Sequence, residues 1–451
     1  MRELESLLAD KGCQFATIAS CDTNGFLRGQ FVSRKTLLSI ARNGVGMAPV
    51  TLAFDPTDVV LPIPGVGDED ADFHDGKMRL DLETWREIPW HGEGKRLLFL
   101  GDHQGEEAAL CPRSLLKRVV AQAHADGLSP KYGLELEYTL FNETPQSARD
   151  KGYRNLVPAT TYPSHDLLLY QAAQSKWYDD LVDMCASLRI DLYKAHEEIG
   201  PGFMEVCVDA GRDLGPADQA VVLRTFLKAL ALRNGQMVTF MSRWSEQADS
   251  QSTHIHISLV DEKNGAPLFW REGAPHNMSD TLRHFIGGMQ AHLAELILIF
   301  APTVNSYRRF APGTFAPSSL GWGFENRTTG LRVVGDEPGA MRLENRLPGA
   351  DSNPYLTTAA MLAAGLAGIR RRIEPHAELI GNGLGRRKHD PALLFPRTMA
   401  ESIERFRRSE FAREWLGERF VEAFAATREA QMNEFAVKVP DVELARFFEL
   451  A

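Results

Sequence analysis

The chain lacks most of the features that mark a secreted or membrane protein. It has five cysteines, Cys13, Cys21, Cys111, Cys185 and Cys207, an odd number with no Cys-x-x-Cys pair. That pattern reads as reduced thiols in a cytoplasmic protein, not as a disulfide scaffold. The longest apolar runs, 296–301 and 359–369, fall well short of the ~18 residues a membrane helix needs. Acidic residues follow Met1 at once, with no apolar h-region, so no secretory signal is expected. Positive charge is not in excess either: 50 Lys and Arg stand against 60 Asp and Glu, a net −10, which argues against a nucleic-acid partner. Neither GxxxxGK[ST] nor GxGxxG occurs, and no Ser-His-Asp or Cys-His nucleophile arrangement stands out. Any phosphate would have to be held without a glycine-rich loop.

What is present is the balance of a soluble globular chain, 44% apolar and 24% charged, which can bury a sizeable core. Alternation over 14–32, on either side of Asp22-Thr-Asn-Gly25, predicts a hairpin. A short helix over 33–41 follows, with Ser33 as its cap. A polar stretch after the strand-like 96–101 marks a domain boundary, dividing the chain into 1–105 and 106–451. Pro112 opens a helix that runs to Gly127. Beyond it, strands are expected over 131–141, 190–194, 203–208, 237–241, 254–260, 331–334 and 341–346. Helices are expected over 166–187, 216–233, 280–300, 354–371 and most of 397–433. The fold class is α+β: a small β-rich domain, then a large domain with a sheet and outer helices.

The strands carry acids and histidines at a telling spacing. Glu135 and Glu137 share one strand face while Leu134, Leu136 and Tyr138 take the other. Glu198 and Glu205 flank the turn 199–202. His254 and His256 share a face, and Glu344 sits between Arg342 and Arg346. A solvated polar sheet face would account for any single pair. Five carboxylates and a histidine on several strands would repel one another without cations, and Mg²⁺ or Mn²⁺ with oxygen ligands are the natural partners. The arginines that follow, Arg309, Arg327, Arg332, Arg342 and Arg346, suit carboxylate and phosphate oxygens, because a guanidinium fork binds them bidentately.

The same residues resemble the glutamine synthetase family. The matching blocks are Gly133-Leu-Glu-Leu-Glu-Tyr138, His196-Glu-Glu-Ile-Gly-Pro-Gly-Phe-Met-Glu205, His254-Ile-His-Ile-Ser-Leu259 and Asn305-Ser-Tyr-Arg-Arg309. Asn326-Arg-Thr-Thr-Gly-Leu-Arg332, Met341-Arg-Leu-Glu-Asn-Arg346 and Asn353-Pro-Tyr-Leu356 continue the series. The wording is similar to the branch of γ-glutamylpolyamine, γ-glutamyl-alkylamide and γ-glutamylanilide synthetases. The resemblance implies an amino-terminal β-grasp domain and a catalytic domain with a curved antiparallel sheet. It also implies a ring assembly of twelve subunits with active sites between neighbours. It implies metal ligands: Glu137, Glu198 and Glu205 for a first ion, and Glu135, His254 and Glu344 for a second. By the same resemblance Arg309, Arg346 and Ser250 contact glutamate, and Arg327 acts at the transferring phosphate of ATP. Arg332, Arg342, His256 and Ser258 contact the nucleotide. The implied reaction phosphorylates the γ-carboxylate of L-glutamate with ATP and transfers the acyl group to an amine. Ammonia (a true glutamine synthetase) is the alternative substrate, and a non-catalytic homologue the third reading.

Three positions depart from ordinary glutamine synthetases. The flap reads Pro312-Gly-Thr-Phe-Ala-Pro317, with Phe315 where the family has a glutamate that closes over the ammonium. The family's Asp-Gly-Ser-Ser ammonium segment is replaced by Leu52-Ala-Phe-Asp-Pro-Thr-Asp58, where either Asp55 or Asp58 is the counterpart and the candidate base for the amine. Asp249-Ser-Gln-Ser-Thr253 replaces Asn-Gly-Ser-Gly-Met in the loop that meets glutamate. Losing acids around an ammonium site favours a primary amine that carries carbon: alkylamine, aromatic amine or polyamine.

Overall fold

The computed structural model describes residues 1–91, 94–163, 165–384 and 390–450. Its amino-terminal part is built on β1 (Phe15–Cys21), β2 (Leu27–Ser33), β3 (Val45–Met47), β4 (Gly76–Glu87) and β5 (Leu97–His103), in the order β2-β1-β5-β4-β3. β1 and β2 form the expected hairpin. Its turn closes because Asp22 accepts the N–H groups of Asn24 and Phe26, both at 2.9 Å. Ser33 caps the helix Arg34–Asn43 by accepting the Thr36 N–H. β1 and β5 run parallel in the middle of this sheet, the β-grasp arrangement.

Alternation on these two central strands serves two cores. Ala16, Ile18, Leu97 and Phe99 join Leu4, Leu8, Leu37 and Ile40 in a small core. Ala19, Cys21, Leu98 and Leu100 point the other way into the large core, with Leu115, Leu116 and Val119 of the helix Pro112–Ala125. The small sheet is therefore apolar on both faces and seats directly on the rest of the chain.

The large part contains β6 (Leu128–Phe141), β7 (Leu192–Glu197), β8 (Phe203–Arg212), β9 (Met237–Thr239), β10 (Thr253–Asp261), β11 (Trp322–Phe324), β12 (Leu331–Val334) and β13 (Arg342–Asn345). They make an eight-stranded sheet ordered β11-β12-β13-β10-β6-β8-β7, with β9 beside β6. Every pairing is antiparallel except β11 with β12, so the sheet is mixed at that edge. Its back face, with Leu134, Leu136, Val206, Ile255, Ile257 and Leu343, is buried against helices. Among them are Gly215–Arg233, Asp280–His292 and Pro354–Arg371. The last of these contains the apolar 359–369 run and lies in the core. It meets Asp280–His292 through glycines: a Cβ on Gly365 would lie 2.0 Å from the Phe285 ring. No helix among the described residues is long and apolar enough to cross a membrane. All five cysteines are free and buried.

Three expected helices are broken. The 166–187 segment is two helices, Leu168–Ala173 and Ser175–Ser187, joined at Gln174. The 280–300 segment gives Asp280–His292 and then two short turns ending in Ile297–Phe300. The carboxy-terminal segment is Met399–Arg408, Glu410–Leu416 and Glu418–Ala436, interrupted where Ser409 caps the second helix and where Gly417 takes φ 95°. Apolar periodicity runs across all three breaks, and among them only Ser409 marks a helix start with a side-chain cap, so the pattern alone does not reveal them. A first helix, Arg2–Asp10, was not anticipated at all.

Candidate active site

The polar face of the large sheet is written by its register. His254 pairs with Glu135, Glu137 with Glu205, and Glu205 with His196. His256 pairs with Glu344, and Glu344 with Arg332. Directly opposed residues project to the same side of a sheet. Six strands thus contribute Arg332, Arg342, Glu344, His254, His256, Glu135, Glu137, Glu205, Lys194 and His196 to one surface. Above it opens a cleft of about 710 Å³, lined also by His165, Asp166, Glu198, Ile199, Phe315, Arg327 and Arg346.

Distances within this surface are short. His254 Nδ1 lies 3.2 Å from Glu135 and 3.5 Å from Glu344, and its Nε2 lies 4.0 Å from Glu137. The Ser252 N–H donates to Glu137 at 2.5 Å. His196 Nε2 stands 3.1 Å from Glu198 and 3.7 Å from Glu205. Arg346 pairs with Glu344, whose other oxygen accepts from Arg332 at 3.1 Å. Three overlapping groups present ligand atoms close enough for one ion: Glu135, Glu205 and His254; Glu135, His256 and Glu344; His196, Glu198 and Glu205.

Electrostatics divides the acids in two. Burial raises Glu344, but Arg346 and the two histidines overcome it and hold the carboxyl down at about 2. Glu135 is likewise held well below the usual range, the hydrogen bonds of His254 and His256 outweighing burial. On the other side, burial and then the charge of Glu135 push Glu205 up to about 7. Burial, with Glu205 and Glu198 nearby, pushes Glu137 well above the usual carboxylate range. His254, buried beside Arg346, is pushed down to about 4 and stays neutral. In the half of the cluster around Glu137 and Glu205, Lys194 at 3.4 Å and His196 at 3.7 Å from Glu205 offset only part of the negative charge. Hard oxygen donors with one neutral imidazole fit a divalent Mg²⁺ or Mn²⁺ there.

Two cavities adjoin the cleft. One, of about 70 Å³, is lined by Glu137, Glu198, Ile199, Phe203, Asp249, Ser250, Ser252, Arg309, Phe315 and Arg346. Ile199 and Phe315 border both spaces, and Phe315 is 55% exposed with its ring 6.0 Å from the Arg346 guanidinium. The other, of about 220 Å³, is lined by Lys131, Tyr193, His256, Ser258, Ala340 and Arg342. Arg342 donates to His256 Nδ1 at 3.2 Å.

Nearly all the residues singled out from the sequence therefore meet in one place. Glu135, Glu137, Glu198, Glu205, His254, His256, Arg327, Arg332, Arg342, Arg346 and Phe315 line the cleft, and Glu344 lies buried beneath it. Ser250 and Arg309 line the small cavity, and Ser258 the third. Asp55 and Asp58 are not among them. Asp55 accepts the N–H groups of Thr57 and Val59 within its own turn, and Asp58 pairs with Arg28 at 2.5 Å. They lie in the amino-terminal part, and among the described residues that line the cleft and its two adjoining cavities neither appears.

Sequence reasoning missed several lining residues. Lys194 and His196 share the face of Glu205, and their i, i+2 spacing was the available signal. His165 Nδ1 stands 3.4 Å from Glu198, yet its loop has no periodicity that could have exposed it. Asp249 was seen only as a change in a loop. It is exposed, and the desolvation it still undergoes at the cavity wall, with Glu198 adding, raises its carboxyl.

Comparison with known proteins adds to this geometry. The family described as glutamine synthetase, catalytic domain, matches residues 109–447. A γ-glutamylethanolamide synthetase (GlnA4) of Streptomyces coelicolor is 33% identical over 451 residues, covering 100% of this chain and 96% of its own. A glutamate–isopropylamine ligase of a Pseudomonas species is 30% identical over 439 residues, covering 96% of this chain and 94% of its own. Among solved structures, a GmaS/ADP complex superposes with a TM-score of 0.84 at 26% identity, covering 100% of both chains.

Proposed function

The chain belongs to the glutamine synthetase family of ATP-dependent carbon–nitrogen ligases, and on that premise we propose that it joins the γ-carboxylate of L-glutamate to a small primary amine larger than ammonia. The observation that carries this reading is the position of Phe315. It stands with Ile199 at the junction of the cleft and the 70 Å³ cavity, and Phe203 lines that cavity beside them. An alkyl group leaving water for such a wall gains roughly 0.8 kcal/mol per methylene, which ammonia cannot. Among amines that such a wall would accept, we favour one with a short alkyl substituent. The printed names of two relatives, an ethanolamide synthetase and an isopropylamine ligase, concern amines of that size.

In this reading Arg346 and Arg309 orient the carboxylates of glutamate, with Ser250 on the adjoining loop. His256, Ser258, Arg332 and Arg342 hold the nucleotide in and beside the 220 Å³ cavity. Glu137, Glu198 and Glu205 would hold one divalent cation, and Glu135, His254 and Glu344 a second. Bound there, the cations would neutralise charge on the phosphates. Arg327, exposed at the cleft wall, would meet the phosphoryl group as it passes from ATP to the γ-carboxylate with loss of ADP, and the amine would then displace inorganic phosphate from the γ-glutamyl phosphate. The attacking amine must be neutral. Asp55 and Asp58, remote from their own cleft, would accept its proton only in a neighbour's site, within a ring assembly of twelve. The division of the chain into 1–105 and 106–451 follows the same logic: the first part completes the site that the second part carries.

The experiment is phosphate release with glutamate, ATP and a panel of ammonia, ethanolamine, isopropylamine, putrescine and aniline. A short alkylamine is expected to give the highest kcat/KM. Preference for ammonia at equal concentration would make this a glutamine synthetase and overturn the reading of Phe315.

A further inference from the structure

A second cavity, of about 290 Å³, lies away from the cleft, between the turn of the β1–β2 hairpin and the helices Gly215–Arg233, Pro354–Arg371 and Glu418–Ala436. Its wall is unusual in charge. Arg224, Lys228 and Arg428 line it, against one carboxylate, Asp351. Arg224 and Arg428 are buried, at 6% and 2% exposure, and Lys228 is half-buried. Among the described residues none of the three has a carboxylate within ion-pair distance.

Their neighbours satisfy them only in part. Arg428 donates to the Pro302 carbonyl, the Asn24 side chain and Thr427. Arg224 donates to the Ser352 carbonyl at 2.6 Å. Lys228 has no hydrogen-bond acceptor among the described residues, and its ammonium stands over the rings of Phe26 and Phe240 at 5.3 and 5.9 Å. Asp351 is already committed, accepting from Ser242, Thr303 and Ser306. A buried cation without a counter-charge is costly, and chains seldom keep three around one space without a use for them.

We propose that this cavity is a binding site for a small organic anion of two negative charges, such as a dicarboxylate. Three cations against one committed carboxylate make the wall net positive even with Asp22 behind Arg224 and Arg428, and their placement at two ends of the space sets the two-ended charge of the ligand. Lys228 and Arg224, one turn apart on the same helix, grip one anionic group, and Arg428 across the cavity faces the other. Phe26, Phe240, Leu356 and Ile299 leave the middle of the space apolar, which suits a short carbon chain between the two groups. Glutamate and ATP have their places in the cleft, so this ligand is an additional one.

Isothermal titration calorimetry on the full assembled protein tests it, with succinate, inorganic phosphate and uncharged succinamide as probes. Wild type is expected to bind succinate at a site that Lys228→Met weakens at least tenfold and Lys228→Arg retains. Binding by the arginines of the cleft is common to all three proteins and drops out of the comparison. Phosphate binding as tight as succinate would show that a single compact anion suffices and would overturn the two-ended ligand. Succinamide should not bind. Lys228→Met removes an unpaired charge, so its melting temperature without anion should not fall. Met241→Glu, at an exposed lining position, supplies a carboxylate and should weaken succinate binding independently. Identical isotherms for wild type and both charge-altering variants, or no binding by wild type, would overturn the site.

Discussion

Arg309 braces the backbone of Arg346. Its two terminal nitrogens donate at 2.8 Å to the carbonyls of Leu347 and Arg346, and the whole side chain is buried. The residue expected to hold substrate thus also fixes the residue beside it, and with it the Arg346–Glu344 pair.

Breaking that brace should cost catalysis more than its distance from the cleft implies. Two charge-assisted hydrogen bonds are worth about 3 kcal/mol together, or roughly 100-fold. Arg309→Met is expected to lower kcat/KM for glutamate by at least that factor. Arg309→Lys should recover only part, because one ammonium cannot reproduce a planar fork. Wild-type kinetics in Arg309→Lys would show that only the charge matters.

The acid cluster predicts an inverse dependence of stability on pH. Glu205 titrates near 4.5 when unfolded and is pushed up to about 7 in the fold, first by burial and then by Glu135. Its folded form holds the extra proton between those values. The stabilisation is complete below about 4.5 and is lost as pH rises through about 7, on the order of 3 kcal/mol in all. Glu137 adds in the same direction. In chelator, the melting temperature should fall between about pH 6.5 and 8, and Mn²⁺ should remove the fall by taking the proton's place. His254, pushed down to about 4, opposes this trend only at lower pH. A flat profile in chelator would contradict the charge assignment of the cluster.

Phe315→Glu restores an acid to the flap. Each methylene of the amine that loses its apolar contact should weaken binding about fourfold. The ratio of kcat/KM for the best alkylamine to that for ammonia is expected to fall accordingly. An unchanged ratio would mean that Phe315 does not touch the amine.

Asp55 and Asp58 predict complementation between subunits. Glu137→Gln should be inactive for want of a metal ligand, and the Asp55→Asn/Asp58→Asn double variant for want of the amine's base. Dissociated and reassembled together, the two should regain a measurable share of activity, because some sites combine intact halves. No recovery in a mixed assembly of verified composition would return both residues to a structural role.

Gly365→Ala tests the helix contact under the sheet. Alanine usually favours a helix over glycine by about 1 kcal/mol. Here its Cβ would meet Phe285 at 2.0 Å, and overpacking of this kind costs about 1–3 kcal/mol. The melting temperature should drop.

The sequence by itself determined the strands and what they carry. A period of two placed Glu135 with Glu137 and His254 with His256, and the motif blocks pointed to the family. Ser33 as a cap and the 22–25 turn were legible because their hydrogen bonds close within a few residues. Tertiary structure alone decided which acids face which cations. Glu344 is driven down by Arg346, two residues along, together with His256 and His254 of β10, and Glu205 is driven up by burial and by Glu135 of β6. It also decided that His165 reaches Glu198, that Asp55 and Asp58 stay away from their own cleft, and that Arg224, Lys228 and Arg428 share one cavity. Local pattern records which face a side chain takes, while burial and charge depend on what the register and the packing of distant segments bring opposite it.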